Sequence, residues 1–260
     1  MYYLSKTVYS KLKLSPLISS IFYMFNFFVL QSRLNIGMAW AYTFLPLLMA
    51  LLIKIVEVTL QQHNKTANKN IIYFAITSTI ALSFASINPA NVIITLLVLA
   101  ITLLYYIITQ RNQIRRLLLN ITKLTIFSIL LNVWWMIPIL NDYLWSPSAL
   151  NPEVSVTAWS WTHTRASFLN LFWLNGQWGW RPEYVSYYYS YSNPVLLVLT
   201  FIPFLLATSA LLFKSNRSNF NIHLMFAILT FLFLAKGLHE PLSQLNLLLY
   251  TYIPNMAMFR

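Results

Sequence analysis

Long apolar runs separated by short polar breaks recur along most of this chain. About 20 residues are needed to cross a ~30 Å hydrocarbon core as helix. Seven stretches approach that length, near Leu14–Leu34, Ile36–Val56, Ile71–Asn88, Ala90–Thr109, Leu118–Leu140, Pro194–Phe213 and Ile222–Leu238. Asn26 interrupts the first, which Gln31, Ser32 and Arg33 then close. Ile93–Thr109 and Val195–Phe213 are apolar on all sides, as bundle or lipid-facing helices are. Asn88-Pro89 predicts a tight turn, because proline disfavours helical geometry in the residue before it. The pattern predicts an all-α fold: a polytopic bundle of about seven spanning helices. A long aromatic outer loop, with short or interfacial helices of its own, completes it.

Composition agrees. Of the 260 residues 58% are hydrophobic and 8% charged, with mean hydropathy +0.63. Soluble domains carry roughly 25% charged residues. The expectation is a single transmembrane domain over residues 1–260, with an outer loop at 141–193 and an outer C-terminal segment at 237–260. Cysteine is absent, which removes disulfides, thiolate nucleophiles and cysteine-type zinc sites. The basic N-terminus leads into an apolar run without a small-residue cleavage site, so it predicts a retained helix.

The net charge of +12 takes its meaning from where the charges fall. With the N-terminus inside, 12 of the 17 Lys and Arg lie on the inner side. Arg33, Arg165, Arg181, Lys236 and Arg260 lie outside. That is the cytoplasmic bias of Lys and Arg in membrane proteins, so no nucleic-acid partner is inferred. Asp142, Glu153, Glu183 and Glu240 fall outside and Glu57 inside. All nine tryptophans lie at the outer boundary or in the outer loop, whereas an aromatic belt populates both interfaces. The predicted location is a membrane of prokaryotic plasma-membrane type, with the N-terminus cytoplasmic and residues 141–193 extracytoplasmic.

Candidate chemistry concentrates in that loop, which is too aromatic for a disordered segment. Trp159, Trp161, His163 and Arg165 precede an amphipathic stretch at Ala166–Leu174; Trp178, Trp180, Arg181 and a tyrosine cluster follow. Two readings stand side by side. In one, indole rings stack on sugar faces, and Arg165 and Arg181 grip phosphate through their planar forks. In the other, the segment is an interfacial helix anchored by its aromatics. Asp142, at the mouth of the fifth helix, has the chemistry of a general base or a ligand for a divalent cation, or of a simple helix cap. Glu153 and Glu183 are the other carboxylate candidates. His163 is a phosphate or proton-transfer candidate. His239-Glu240-Pro241 lacks the second histidine of a zinc-protease motif, since position 243 is serine. No resident metal or cofactor is identified. No charge lies mid-span, as Lys54 and Lys123 are close enough to the inner face to snorkel, which counts against an ion-coupled carrier. Four glycines leave no phosphate-cradling loop.

Three stretches resemble the GT-C-type polytopic membrane glycosyltransferases, particularly the arabinofuranosyltransferase D-like family and the related YfhO-like proteins. They are Leu14–Ile55 with Phe22-Tyr23…Asn26 and Leu45-Pro46-Leu47-Leu48; Asn132-Val133-Trp134-Trp135-Met136-Ile137-Pro138 with the later Trp178-Gly179-Trp180; and Gly237…Pro241…Tyr250…Ile253-Pro254…Phe259-Arg260. The resemblance implies membrane lipid as surroundings, a polyprenyl-phosphate-linked sugar donor, and transfer to a glycan acceptor on the outer face. The candidate sugar or phosphate contacts under this reading are Trp135, Trp159, Trp161, His163, Arg165, Trp178, Trp180, Arg181, His239 and Arg260. The family's essential carboxylate lies in its first outer loop, where residues 31–35 here hold no acid. The expectation is therefore a fragment, incomplete at both ends, with the catalytic base outside it. The alternatives are a lipid-linked glycan flippase or export subunit, and a non-catalytic assembly protein.

Overall fold

A computed structural model describes residues 1–9, 13–25, 36–61, 64–87, 89–145, 167–172, 193–209, 211–212 and 218–252. Every element among them is helical: α1 (Tyr2–Val8), α2 (Ser15–Met24), α3 (Ile36–Leu60), α4 (Asn64–Ala85), α5 (Pro89–Thr109), a 3-10 turn (Arg111–Gln113), α6 (Ile114–Trp145), α7 (Phe168–Phe172), α8 (Pro194–Ser209), α9 (Ser218–Ala235) and α10 (Ser243–Tyr252). Three helical segments, Ile36–Leu60, Asn91–Thr109 and Arg111–Pro138, are long and apolar enough to cross a membrane. Ser15–Met24, Val198–Ser209 and Asn219–Ala235 are apolar but shorter. The first and sixth expected stretches reach only 10 and 16 residues of described helix. Lys65, Asn68, Lys69 and Asn70 dilute the apolar character of α4. The fifth stretch instead extends at both ends into a 32-residue helix, about 48 Å long at 1.5 Å per residue.

The contacts group the chain into two compact units, one running to Asp142 and the other containing α7 to α10. In the first, α3 is the central helix and packs on α4, α5 and α1. Leu48, Ile53, Ile55 and Val56 are wholly buried there, so its all-round apolar sequence meets protein on several sides. α4 adds Ala67, Ile71 and Ala75, and α6 adds Leu117. Leu82, Ala85 and Val92 form a further cluster, with Ala41 and Trp135 against it. The outer faces of α4 and α6 remain apolar and exposed, from Ile72 to Phe84 and from Leu118 to Ile137. A stable water-soluble protein rarely exposes such continuous patches; they suit lipid.

Polar side chains tie these helices together internally. Asn120 Nδ2 on α6 donates to Thr59 Oγ1 on α3 at 2.8 Å, with both residues buried. Asn132 Nδ2 donates to the Ser128 carbonyl at 2.7 Å and faces Thr79 Oγ1 and Ser78 Oγ of α4 at 3.4 and 3.5 Å. Such interhelical bonds contribute about 0.6 kcal/mol on average, up to about 1.7, in a bilayer. A double-mutant cycle of Asn120→Leu with Thr59→Val should return a coupling energy in that range. Additive losses would mean that the two side chains do not support each other.

Short connections at 60–64 and 110–114 place the C-termini of α3 and α5 beside the N-termini of α4 and α6. Lys54, Lys65, Lys69, Arg111, Arg115 and Arg116 consequently gather at one end of the first unit. Trp40, stacked on Phe84 at 4.4 Å, and Trp135, beside Ala85 and Val92, lie at the other. Trp134 follows Trp135 to that end and is 64% exposed.

Candidate functional site

Two polar arrangements stand out among the described residues, one in each unit. The first surrounds Trp135. Its indole Nε1 donates to Asn132 Oδ1 at 2.8 Å, one turn back on α6. Asn132 is 3% exposed, so its amide is held by three neighbours while Trp135 stays half-buried against the cluster of Leu82, Ala85 and Val92. The buried amide fixes the indole's orientation. That leaves a flat apolar ring at the tryptophan-bearing end.

The second arrangement forms at the α9–α10 corner. α9 ends at Ala235, and Gly237 takes the left-handed conformation (φ 61°), which suits glycine at a helix C-cap because it has no Cβ. Gly237 N–H turns back to Leu234 O at 3.5 Å, so the Phe233 carbonyl, four residues before it, needs another donor. Asn246 Nδ2, from α10, donates to Phe233 O at 3.1 Å and to Gly237 O at 2.5 Å. Lys236 is wholly buried. Its Nζ donates to His239 O at 2.6 Å, approaches Gly237 O at 3.5 Å, and lies 4.7 Å from the Phe233 ring centroid. An ammonium and an amide from opposite sides of the corner therefore satisfy carbonyls that the helix end frees. Among the described residues Asn246 Oδ1 meets no hydrogen-bond partner.

Glu240 is exposed at the same corner and accepts from Ser243 Oγ at 2.7 Å. The Ser243 hydroxyl holds its carboxyl below the usual range, and the Lys236 charge acts in the same direction. A carboxyl with a depressed folded pKa adds stability above its unfolded pKa of about 4.3 and loses it as pH falls through the folded value. Ser243→Ala should move the Glu240 midpoint upward in a carbon-detected NMR titration. A midpoint that stays in place would remove the hydroxyl as its cause.

The structure places three of the sequence candidates. Trp135 lies in the Asn132 cluster. His239 contributes its backbone carbonyl to Lys236, with a partly exposed imidazole. Asp142 lies within α6, which continues to Trp145, rather than just past a helix end as expected; Asn141, Asp142 and Tyr143 sustain helix through the presumed boundary. Trp159, Trp161, His163, Arg165, Trp178, Trp180, Arg181, Glu153, Glu183 and Arg260 lie outside the described residues. Of the amphipathic stretch at Ala166–Leu174, Phe168–Phe172 is helical, and Phe172 packs on Phe204 of α8 at 4.4 Å. Trp135 belongs to the first unit and His239 to the second. Sequence reasoning missed Asn132 and Asn246, although an asparagine inside an apolar helix was the available signal. Among the described residues no group of three His, Asp or Glu is assembled that could hold a metal ion.

No family model, curated protein or solved structure matches the chain.

Proposed function

We propose that this chain is the membrane core of a GT-C-type glycosyltransferase, using a polyprenyl-phosphate-linked sugar at the tryptophan-bearing face of a prokaryotic plasma membrane. In this reading the chain spans the bilayer about seven times, with the N-terminus cytoplasmic and the 141–193 loop outside. The observation that carries it is the separation of the described tryptophans from the cations of the first unit. Trp40, Trp134 and Trp135 occupy one end of the first unit, and Lys65, Lys69, Arg115 and Arg116 the other. The Asn132–Pro138 stretch, one of three carrying the family resemblance, supplies the oriented Trp135 ring at that end. Transfer would form a bond from an acceptor hydroxyl oxygen to the anomeric carbon and break the bond to polyprenyl phosphate. The hydroxyl proton passes to a base; the family's own position for it, at residues 31–35, holds no acid here, which leaves Asp142, Glu153 and Glu183 as the candidates within this sequence. Arg165, Arg181, His163 or Arg260 would hold the departing phosphate.

The absence of native cysteine makes single-cysteine labelling clean. Trp178→Cys should react with a membrane-impermeant maleimide in intact cells, and Arg115→Cys only after permeabilisation. Reaction of both from one side removes the proposed outer site. With sidedness established, sugar transfer from a polyprenyl-phosphate donor should fall on Arg181→Ala. Transfer that is absent in the unaltered protein would reject the enzymatic reading.

A further inference from the structure

Two exposed helical stripes in the first unit share one design. On α4, Lys65, Lys69, Tyr73, Ile76, Ile80 and Phe84 follow one another at spacings of three and four residues, which puts them on a single face. All six are exposed, and Lys69 Nζ lies 5.6 Å from the Tyr73 ring centroid. On α6, Arg115, Leu119, Lys123, Ile126, Leu130, Val133 and Ile137 follow at the same spacings and are likewise exposed, with Arg116 alongside. Each stripe starts with cations, as far as Lys69 on α4 and Lys123 on α6, and continues as exposed apolar side chains.

The dimensions match a lipid. Lys69 to Ile80 on α4 spans eleven residues and Lys123 to Val133 on α6 spans ten, about 15–16 Å of helix. That is about half of a ~30 Å hydrocarbon core, the depth of one leaflet. The charge is uncompensated: this end of the unit gathers Lys54, Lys65, Lys69, Arg111, Arg115 and Arg116, while Glu57 is the one acid near it in the sequence. A free phosphate would satisfy the cations and leave the apolar stripe bare, and an acidic soluble protein would have to lie against hydrocarbon. An anionic phospholipid satisfies both parts.

We propose that Lys65/Lys69 on α4, and Arg115/Arg116 with Lys123 on α6, each hold the phosphate of an anionic phospholipid, whose acyl chain lies along the apolar stripe beyond them. The surface selects anionic lipid over zwitterionic lipid, independently of any sugar chemistry at the opposite end. Near a membrane surface each Lys or Arg contributes about 1 kcal/mol of attraction to anionic lipid, about fivefold in affinity.

The test reconstitutes the full chain in vesicles of equal parts dioleoylphosphatidylglycerol and dioleoylphosphatidylcholine, extracts it gently, and counts co-purifying lipids by mass spectrometry. The unaltered protein should retain phosphatidylglycerol in at least about fivefold excess. Lys65→Gln with Lys69→Gln, or Arg115→Gln with Arg116→Gln, should remove most of that excess. Lys6→Gln with Lys13→Gln removes the same charge away from both stripes and should change it less than about twofold. Retention of both lipids at their mixing ratio overturns the proposal, as does a Lys6/Lys13 variant that loses as much as the stripe variants. Should a glutamine pair fail to fold, Lys65→Arg with Lys69→Arg keeps the question open to measurement. Its excess should fall between about 0.05 and about 0.5 M NaCl, because salt screens surface charge; an excess indifferent to salt counts against the assignment.

Discussion

Lys236→Ala is expected to destabilise the α9–α10 corner by about 3 kcal/mol. The wholly buried ammonium donates to His239 O at 2.6 Å and sits near Gly237 O and the Phe233 ring. Hydrogen bonds to a charged group contribute about 1.5–3 kcal/mol, and a buried acceptor left without its donor costs about 1–3 kcal/mol. Removing the four-carbon stem also opens a cavity. Lys236→Met should cost less, about 1 kcal/mol, because it fills the space and removes the need to bury a charge. Equilibrium unfolding in mixed micelles, read by hydrogen exchange over 218–252, separates the two variants. Losses below about 0.5 kcal/mol for Lys236→Ala would mean that the ammonium is dispensable to the corner.

Tyr23→Phe should cost about 2 kcal/mol, and that cost should largely vanish beside Pro46→Ala. Pro46 lies inside α3 and has no N–H, so the carbonyl four residues before it, Tyr42 O, has no donor within the helix. Tyr23 supplies one: its hydroxyl donates to Tyr42 O. The Tyr42 hydroxyl returns a bond to Tyr23 O at 3.0 Å, and the rings stack with centroids 4.1 Å apart. In lipid an unpaired carbonyl is costly, so a phenylalanine at position 23 leaves the defect made by Pro46 unrepaired. Pro46→Ala restores the intrahelical donor and makes the tyrosine hydroxyl redundant. The full four-variant cycle checks this, and an equal cost of Tyr23→Phe in both backgrounds would sever the link between the two residues.

These two sites show why part of the molecule could be read early and part could not. Pro46 announces a broken hydrogen bond wherever it stands in a helix. Which residue repairs it depends on α2 returning alongside α3, and no periodicity encodes that. Lys236 carries a similar lesson. The sequence placed it only among the outer-side cations; the fold buries it and turns the His239 and Gly237 carbonyls towards it. Around Asp142 the apolar run ends near Leu140, while the helix passes straight through to Trp145. Backbone hydrogen bonding continues past a change in side-chain polarity, so a hydropathy edge and a helix end need not coincide.

Element type, the apolar runs and, among the described residues of the first unit, the placement of tryptophans opposite the cations were all determined by the sequence alone. They depend on local spacing and on the cost of burying polar groups, which each residue carries with it. Tertiary structure alone decided that α3 is enclosed while α4 and α6 keep bare stripes, and that Asn132 orients Trp135 where Asn246 caps α9. Those outcomes follow from which helix faces meet. An apolar face bears the same residues whether it packs against protein or against lipid, so only the assembled fold tells them apart.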